Sequence, residues 1–495
     1  MPTPKRAATR SAKRLRTGIE GLDDILAGGL TADRLYLIEG VPGAGKTTLA
    51  LQFLIEGASL GEPVLYVTLS ESEEELREVA TSHGWSLAGV TVRELIPGED
   101  NLEPDEQYTM FHPSEIELTE TTKTILADVE RFKPSRVVFD SLSELKLLAG
   151  NPLRYRRQIL ALKQFFVGRK STVLLLDDMT SSTRDLQLQS IVHAVIRLEQ
   201  LYPEYGSERR RLMVSKYRGS TFRGGYHDYK ITHGGLEVYP RLVANEHNSP
   251  NVSERLATGI KELDDLLGGG IDCGTSALIV GAAGTGKSSM AAQLSDAAAK
   301  RGQKSAIFIF DETVNTLIAR MRSLGIDLRK HIKSGLITAQ RIDPAEFSPG
   351  ELVHMIRTNV EENNASLVVI DSLNGYLNAM PDERFLVIQL HELLTYLAQQ
   401  NVATLLISAQ QGLIGTNMVS PVDATYLADA VILMRYYEIK GEIRQAISVM
   451  KKRRGAHERT IRDFRLGKGG IKLGPPLRDF RGVLTGVPTP ERGEK

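Results

Sequence analysis

Short apolar runs of four to six residues recur along the chain, separated by longer stretches in which apolar positions return at helical spacing. In the first half the runs are Leu35–Ile38, Val64–Leu69, Arg136–Phe139 and Thr172–Leu176. In the second half they are Ala277–Val280, Ala306–Phe310, Leu367–Ile370 and Ala403–Ile407. Near-continuous apolar runs of this length predict strands covered on both faces, as in a parallel sheet between helix layers. Stretches such as Thr47–Gly57 and Leu153–Phe166 predict the crossover helices. The alternation predicts an α/β fold built on mostly parallel sheets.

The pattern is written twice. Thr17-Gly18-Ile19 returns as Thr258-Gly259-Ile260, and Leu22-Asp23-Asp24-Ile25-Leu26 as Leu263-Asp264-Asp265-Leu266-Leu267. Asp140-Ser141-Leu142 matches Asp371-Ser372-Leu373, and Lys216-Tyr217-Arg218-Gly219 matches Lys452-Arg453-Arg454-Gly455. The matches are collinear, with offsets of 241, 231 and 236 residues. Such a period is far too long for a solenoid unit, so each copy is a domain. The polar stretch at residues 245–251, with Pro250, reads as the linker. The expected organisation is a disordered basic arm over 1–16, domains at 17–246 and 247–486, and a tail at 487–495.

Composition narrows the classes. Sixty-one basic residues balance 61 acidic ones, which argues against a polybasic nucleic-acid or membrane-surface binder. A single cysteine, Cys273, excludes an intramolecular disulfide framework and suits a reducing, cytoplasmic setting. The sequence has no apolar run of bilayer length, and its basic first residues lack a signal-peptide core.

The chemistry lies at the ends of the predicted strands. Gly40-Val41-Pro42-Gly43-Ala44-Gly45-Lys46-Thr47 and Gly281-Ala282-Ala283-Gly284-Thr285-Gly286-Lys287-Ser288 both fit the G-x-x-x-x-G-K-[ST] phosphate loop. Glycines let backbone N–H groups converge on phosphate oxygens, and the following helix N-terminus adds partial positive charge. The expected ATP cradles are Gly43, Ala44, Gly45, Lys46, Thr47 and Thr48, then Gly284, Thr285, Gly286, Lys287, Ser288 and Ser289. Thr47 with Asp140, and Ser288 with Asp371, are the expected Mg²⁺ holders, each aspartate ending an apolar strand. Glu71 and Glu312, after the second strand of each copy, are candidates to activate water. Lys216/Arg218 and Lys452/Arg454 read either as a solvated strand edge or as fingers reaching a neighbouring subunit's nucleotide.

With these residues in view, the chain resembles the KaiC branch of the RecA-like ATPases, double-domain ATPases known from bacterial circadian clocks and their non-clock relatives. The resemblance runs from Arg16 to about Pro488. It includes Arg16-Thr17-Gly18-Ile19-Glu20-Gly21-Leu22-Asp23, both phosphate loops, Asp140-Ser141-Leu142-Ser143 and Leu477-Arg478-Asp479-Phe480. It implies tandem RecA-like P-loop domains, self-assembly into a hexamer with ATP between subunits, and ATP hydrolysis serving signalling through protein partners. In that family a pair of acids follows the second strand. Here the pair is Ser70-Glu71 in the first copy and Asp311-Glu312 in the second. The family's trans-acting Lys and Arg map onto Lys216 and Arg218, and onto Lys452 and Arg454, with Lys451 and Arg453 one residue away. Kinase-type members phosphorylate an adjacent hydroxyl pair in the second domain. The corresponding positions are Thr425 and, more weakly, Tyr426, while Asn378 stands where those members carry arginine. A RecA-like nucleic-acid motor and an ATP-assembled scaffold with little turnover are the competing readings of the same fold.

Overall fold

The computed structural model describes residues 13–95, 113–179, 186–247, 254–377, 383–410, 412, 425–485 and 488–490. Asn378, residues 1–12 of the expected basic arm and most of the tail lie outside these. The chain divides into two compact units, Met1–Arg241 and Leu242–Lys495. Leu242 and Ala244 bury into the core of the second unit, which moves the seam a few residues ahead of the polar linker. Arg14 and Arg16 correct the arm as expected from sequence. Arg14–Leu15 pairs antiparallel with Leu30–Thr31, and the Arg14 guanidinium donates to the Tyr217 hydroxyl at 2.6 Å. The backbone carbonyl of Arg16 accepts from Arg136.

The first unit holds a nine-stranded sheet. Its strands are β1 (Leu35–Gly40), β2 (Val64–Thr68), β3 (Val90–Glu94), β4 (Arg136–Asp140), β5 (Thr172–Asp177), β6 (Ala194–Leu201), β7 (Arg209–Tyr217), β8 (His227–Thr232) and β9 (Gly235–Tyr239). The spatial order is β9-β8-β7-β6-β1-β5-β4-β2-β3. From β6 to β3 all pairs are parallel, and β6 through β9 form an antiparallel meander. Side chains alternate between two cores, one on each face. Tyr36 and Ile38 enter the layer holding Leu49 and Phe53 of helix α1 (Lys46–Ser59), while Leu35 and Leu37 pack with Ile159 and Phe166 on the other side.

The second unit repeats the plan with β10 (Ser276–Gly281), β11 (Lys304–Ile309), β12 (Ile337–Arg341), β13 (Ala365–Asp371), β14 (Ala403–Ala409), β15 (Ala430–Ile439), β16 (Glu442–Lys452), β17 (Arg462–Gly467) and β18 (Gly470–Pro476). Its order is β12-β11-β13-β14-β10-β15-β16-β17-β18. The four central parallel strands of each sheet, β1, β2, β4 and β5 and then β10, β11, β13 and β14, are those the apolar runs predict. β6 and β15, which also pair parallel with β1 and β10 and open on the apolar Ala194–Ile196 and Ala430–Met434, lie outside those runs. No described helix is long and apolar enough to cross a membrane.

Candidate functional site

Each phosphate loop leaves the C-terminal end of a central strand, β1 or β10, and turns into a long helix, α1 or α2 (Lys287–Lys300). The turn depends on glycine. Gly45 and Gly286 cap the helices at φ of 90° and 95°, a left-handed conformation that L side chains rarely adopt. A methyl at Gly45 would lie 2.7 Å from Ile231 Cδ1, and one at Gly286 would lie 2.4 Å from Leu466 Cδ1. The meander therefore braces the loop from below. Ala44 is buried and its carbonyl accepts from the Tyr229 hydroxyl at 2.6 Å.

Lys46 Nζ donates to the carbonyls of Gly40 at 2.8 Å and Val41 at 3.2 Å, and lies 2.8 Å from Asp178 Oδ1. Lys287 Nζ makes the matching contacts to Gly281 at 2.9 Å and Ala282 at 2.7 Å, and burial lowers its pKa. Ala409 occupies the register position of Asp178, so that ion pair belongs to the first unit only. The Thr48 hydroxyl turns away to His83 at 3.4 Å, and Thr285 donates to the Ala282 carbonyl at 2.9 Å. Ser289 is buried.

The two strand-end aspartates reach the loops. In the first unit Thr47 Oγ1 donates to Asp140 Oδ2 at 3.2 Å, although β5 separates β1 from β4. The same oxygen accepts from the Tyr66 hydroxyl at 2.5 Å. Burial raises the pKa of Asp140, and those two hydrogen bonds oppose it. In the second unit burial raises Asp371 to about 6, with the Ser288 hydrogen bond opposing. A hydroxyl beside a carboxylate is a hard oxygen pair, the donor chemistry Mg²⁺ selects. It suits a metal bridged to nucleotide phosphates better than an all-protein cage. The described residues contain no cluster of three or more metal-ligating side chains.

The acids after the second strand differ between the units. Glu71 hangs from a tight turn in which its N–H donates to Thr68 Oγ1 at 2.9 Å and its carbonyl accepts from the same hydroxyl at 2.7 Å. Its Oε2 is buried without a hydrogen-bond partner among the described residues. Burial and the nearby carboxylates of Asp140, Glu75 and Asp178 push it up to about 7, against the pull of Lys46. Ser70 is exposed. In the second unit both acids are engaged. Asp311 Oδ2 accepts from the Ser372 hydroxyl at 2.6 Å, and Glu312 pairs with Arg320 at 2.6 Å.

The basic residues require a correction. Lys216 is opposite Val195 and donates to the carbonyls of Gln189 and Val192, while Arg218 donates to the Ser190 carbonyl at 2.5 Å. In the second unit the residue opposite Val431 is Lys451, not Lys452. Lys451 donates to the carbonyls of Thr425 and Ala428, both at 2.9 Å, and Arg453 donates to that of Tyr426 at 2.6 Å. Lys452 instead points into the core, only 4% exposed and 3.2 Å from Asp272. Arg454 lies beyond the strand. The glycine used to align the two copies misleads because the second copy carries one more residue ahead of it. Thr425 and Tyr426 are both exposed.

Tyr66 and Asp178 are functional candidates that the sequence pattern does not single out. Asp178 follows a strand beside the phosphate-loop strand, the same signal that marks Asp140. Tyr66 gives no signal, because a tyrosine within an apolar run reads as core.

A family model for the KaiC ATPase matches the chain twice, over residues 15–243 and 256–478. Similar proteins include the circadian clock oscillator protein KaiC of Picosynechococcus sp., 27% identical over 97% of this chain and 93% of that protein. The protein of the same name from Thermostichus vulcanus is 26% identical over 98% of this chain and 94% of its own length. Circadian clock protein KaiC3 of Synechocystis sp. is 27% identical over 97% and 95%. With one family match on each phosphate loop and the tandem parallel sheets beneath them, the chain belongs to the KaiC family of ATPases.

Proposed function

We propose that both units bind Mg-ATP and that the first is the main site of hydrolysis in a self-assembled ring, the ATPase of a signalling protein. The observation that carries this reading is the contrast between the acids. Glu71 presents a buried carboxylate oxygen with no hydrogen-bond partner among the described residues and a pKa of about 7, the range a general base needs at neutral pH. Asp311 and Glu312 are held by Ser372 and Arg320.

Thr47 and Asp140 would hold Mg²⁺ in the first site, and Ser288 and Asp371 in the second; when bound, the ion neutralises charge on the transferring phosphoryl group. Lys46 exchanges its contacts with the Gly40 and Val41 carbonyls for phosphate oxygens. Glu71 orients a water and takes its proton. Lys216/Arg218 and Lys451/Arg453 close β7 and β16 at the end of each sheet opposite its own phosphate loop, and each pair serves the nucleotide of a neighbouring subunit. The ring we infer is a hexamer, the assembly that the resemblance implies.

An autokinase reading applies to the second unit. Its support is that the carbonyls of Thr425 and Tyr426 hold Lys451 and Arg453, so the acceptor turn accompanies the basic pair to the neighbouring nucleotide. Thr425 is the preferred acceptor, because an aliphatic hydroxyl and a phenol differ in reach.

Incubation with γ-labelled ATP, scoring released phosphate and protein-bound label together, tests both readings. Lys46→Ala should remove most of the phosphate release, and Lys287→Ala any label at residues 425–426. Phosphate release unchanged by Lys46→Ala would refute the assignment of the first site.

A further inference from the structure

The two metal-holding aspartates are not supported alike. In the first unit Tyr66 stands on β2 opposite Val138, two residues before the position paired with Asp140. Its side chain is fully buried, and its hydroxyl donates at 2.5 Å to the Asp140 oxygen that also accepts from Thr47. In the second unit the corresponding residue, opposite Val369 and two before the position paired with Asp371, is Ile307. No hydroxyl can reach Asp371 from there. The same fold position therefore carries a hydrogen-bond donor in one site and a branched alkyl group in the other.

Building on the nucleotide-site reading, we propose that Tyr66 is a positioning residue that locks the Asp140 carboxylate toward Thr47 and so sets the Mg²⁺ requirement of the first site apart from that of the second. A carboxylate at the end of a strand has free rotation about its last bond. A buried donor fixed in a packed ring removes that freedom before the ion arrives. Groups that orient a metal-holding side chain in this way typically change metal affinity by about 10–100-fold when removed. Tyr66 does not touch the nucleotide in this scheme and acts only through Asp140. The tyrosine ring fills the same core layer as Leu49 and Val138, so Tyr66→Phe deletes the hydroxyl and leaves the packing.

The test uses full-length protein carrying Lys287→Ala, which confines nucleotide binding to the first cradle. Retention of a fluorescent ATP analogue is titrated with Mg²⁺, and Mn²⁺ binding is read by electron paramagnetic resonance beside a non-hydrolysable analogue. Adding Tyr66→Phe should raise the Mg²⁺ midpoint and weaken Mn²⁺ binding by about tenfold. In a Lys46→Ala background, where only the second cradle binds, the same substitution should leave both readouts unchanged. An unmoved midpoint in the first background, even with a lowered melting temperature, would reduce Tyr66 to a packing residue and overturn the proposal. An equal shift in both backgrounds would also overturn it. A parent that binds no nucleotide at any Mg²⁺ concentration would instead refute the reading of the first site, and the proposal with it.

Discussion

Replacing Asp371 with asparagine should stabilise the metal-free second unit at neutral pH and do much less at acidic pH. The carboxylate is 8% exposed, and its folded-state pKa is raised from 3.8 to about 6, chiefly by burial. An acid whose pKa rises on folding binds more protons in the folded state, so its ionisation opposes folding. The penalty is absent below the unfolded value, grows between 3.8 and about 6, and is complete above. A rise of that size corresponds to about 3 kcal/mol at neutral to mildly alkaline pH as an upper figure, and to about 1 kcal/mol a little above the unfolded value. Asparagine keeps an oxygen to accept from Ser288 and has nothing to ionise. It also relieves the repulsion from Glu312 and Asp311. The assay is amide hydrogen exchange in chelator, read on peptides covering β10 and β13 so that the first unit does not contribute. Wild type and variant are compared at the same pH, which cancels the intrinsic exchange rate. Exchange in the variant should slow by up to about 100-fold at about pH 7.5 and only a few-fold at about pH 4.5. Equal slowing at both values, or faster exchange at the higher one, would refute the argument that the folded unit bears an ionised, desolvated carboxylate. Saturating Mg-ATP should shrink or reverse the difference, because wild type then gains a ligand that the variant holds poorly.

Lys452→Met should cost about 1–2 kcal/mol in urea unfolding of the second unit, since Asp272 keeps Arg255 as a partner; Lys451→Ala should leave stability within about 0.5 kcal/mol. In mixed assemblies, Lys451→Ala and Arg453→Ala should slow turnover of neighbouring second sites when phosphate release is followed, whereas Arg454→Ala should not. Glu71→Gln should nearly abolish phosphate release while retaining nucleotide binding by filtration, and full activity would remove Glu71 from the mechanism. Arg136→Ala should destabilise the first unit by about 3–5 kcal/mol in denaturant melts, because the fully buried guanidinium holds Glu62 at 2.7 Å and two backbone carbonyls.

The duplication, the four central parallel strands of each sheet and both phosphate loops are legible in the sequence alone. Strands buried on both faces must be apolar throughout, and a loop that wraps phosphate must carry glycines at set spacing, so both constraints are local and leave a readable pattern. Asp140 and Asp371 were legible for the same reason, as acids that end an apolar strand. The tertiary structure decided what depends on pairing between distant segments. Whether Lys451 or Lys452 corresponds to Lys216 is a matter of strand register beside β15, and one extra residue before Gly455 shifts the apparent match. The fate of the acids is likewise non-local. Glu71 retains a buried oxygen without a hydrogen-bond partner among the described residues, whereas Asp311 meets Ser372, 61 residues away, and Glu312 meets Arg320. Tyr66 is the sharpest case. In the sequence it is one more apolar position of a strand, and only the neighbouring β4 brings Asp140 to its hydroxyl.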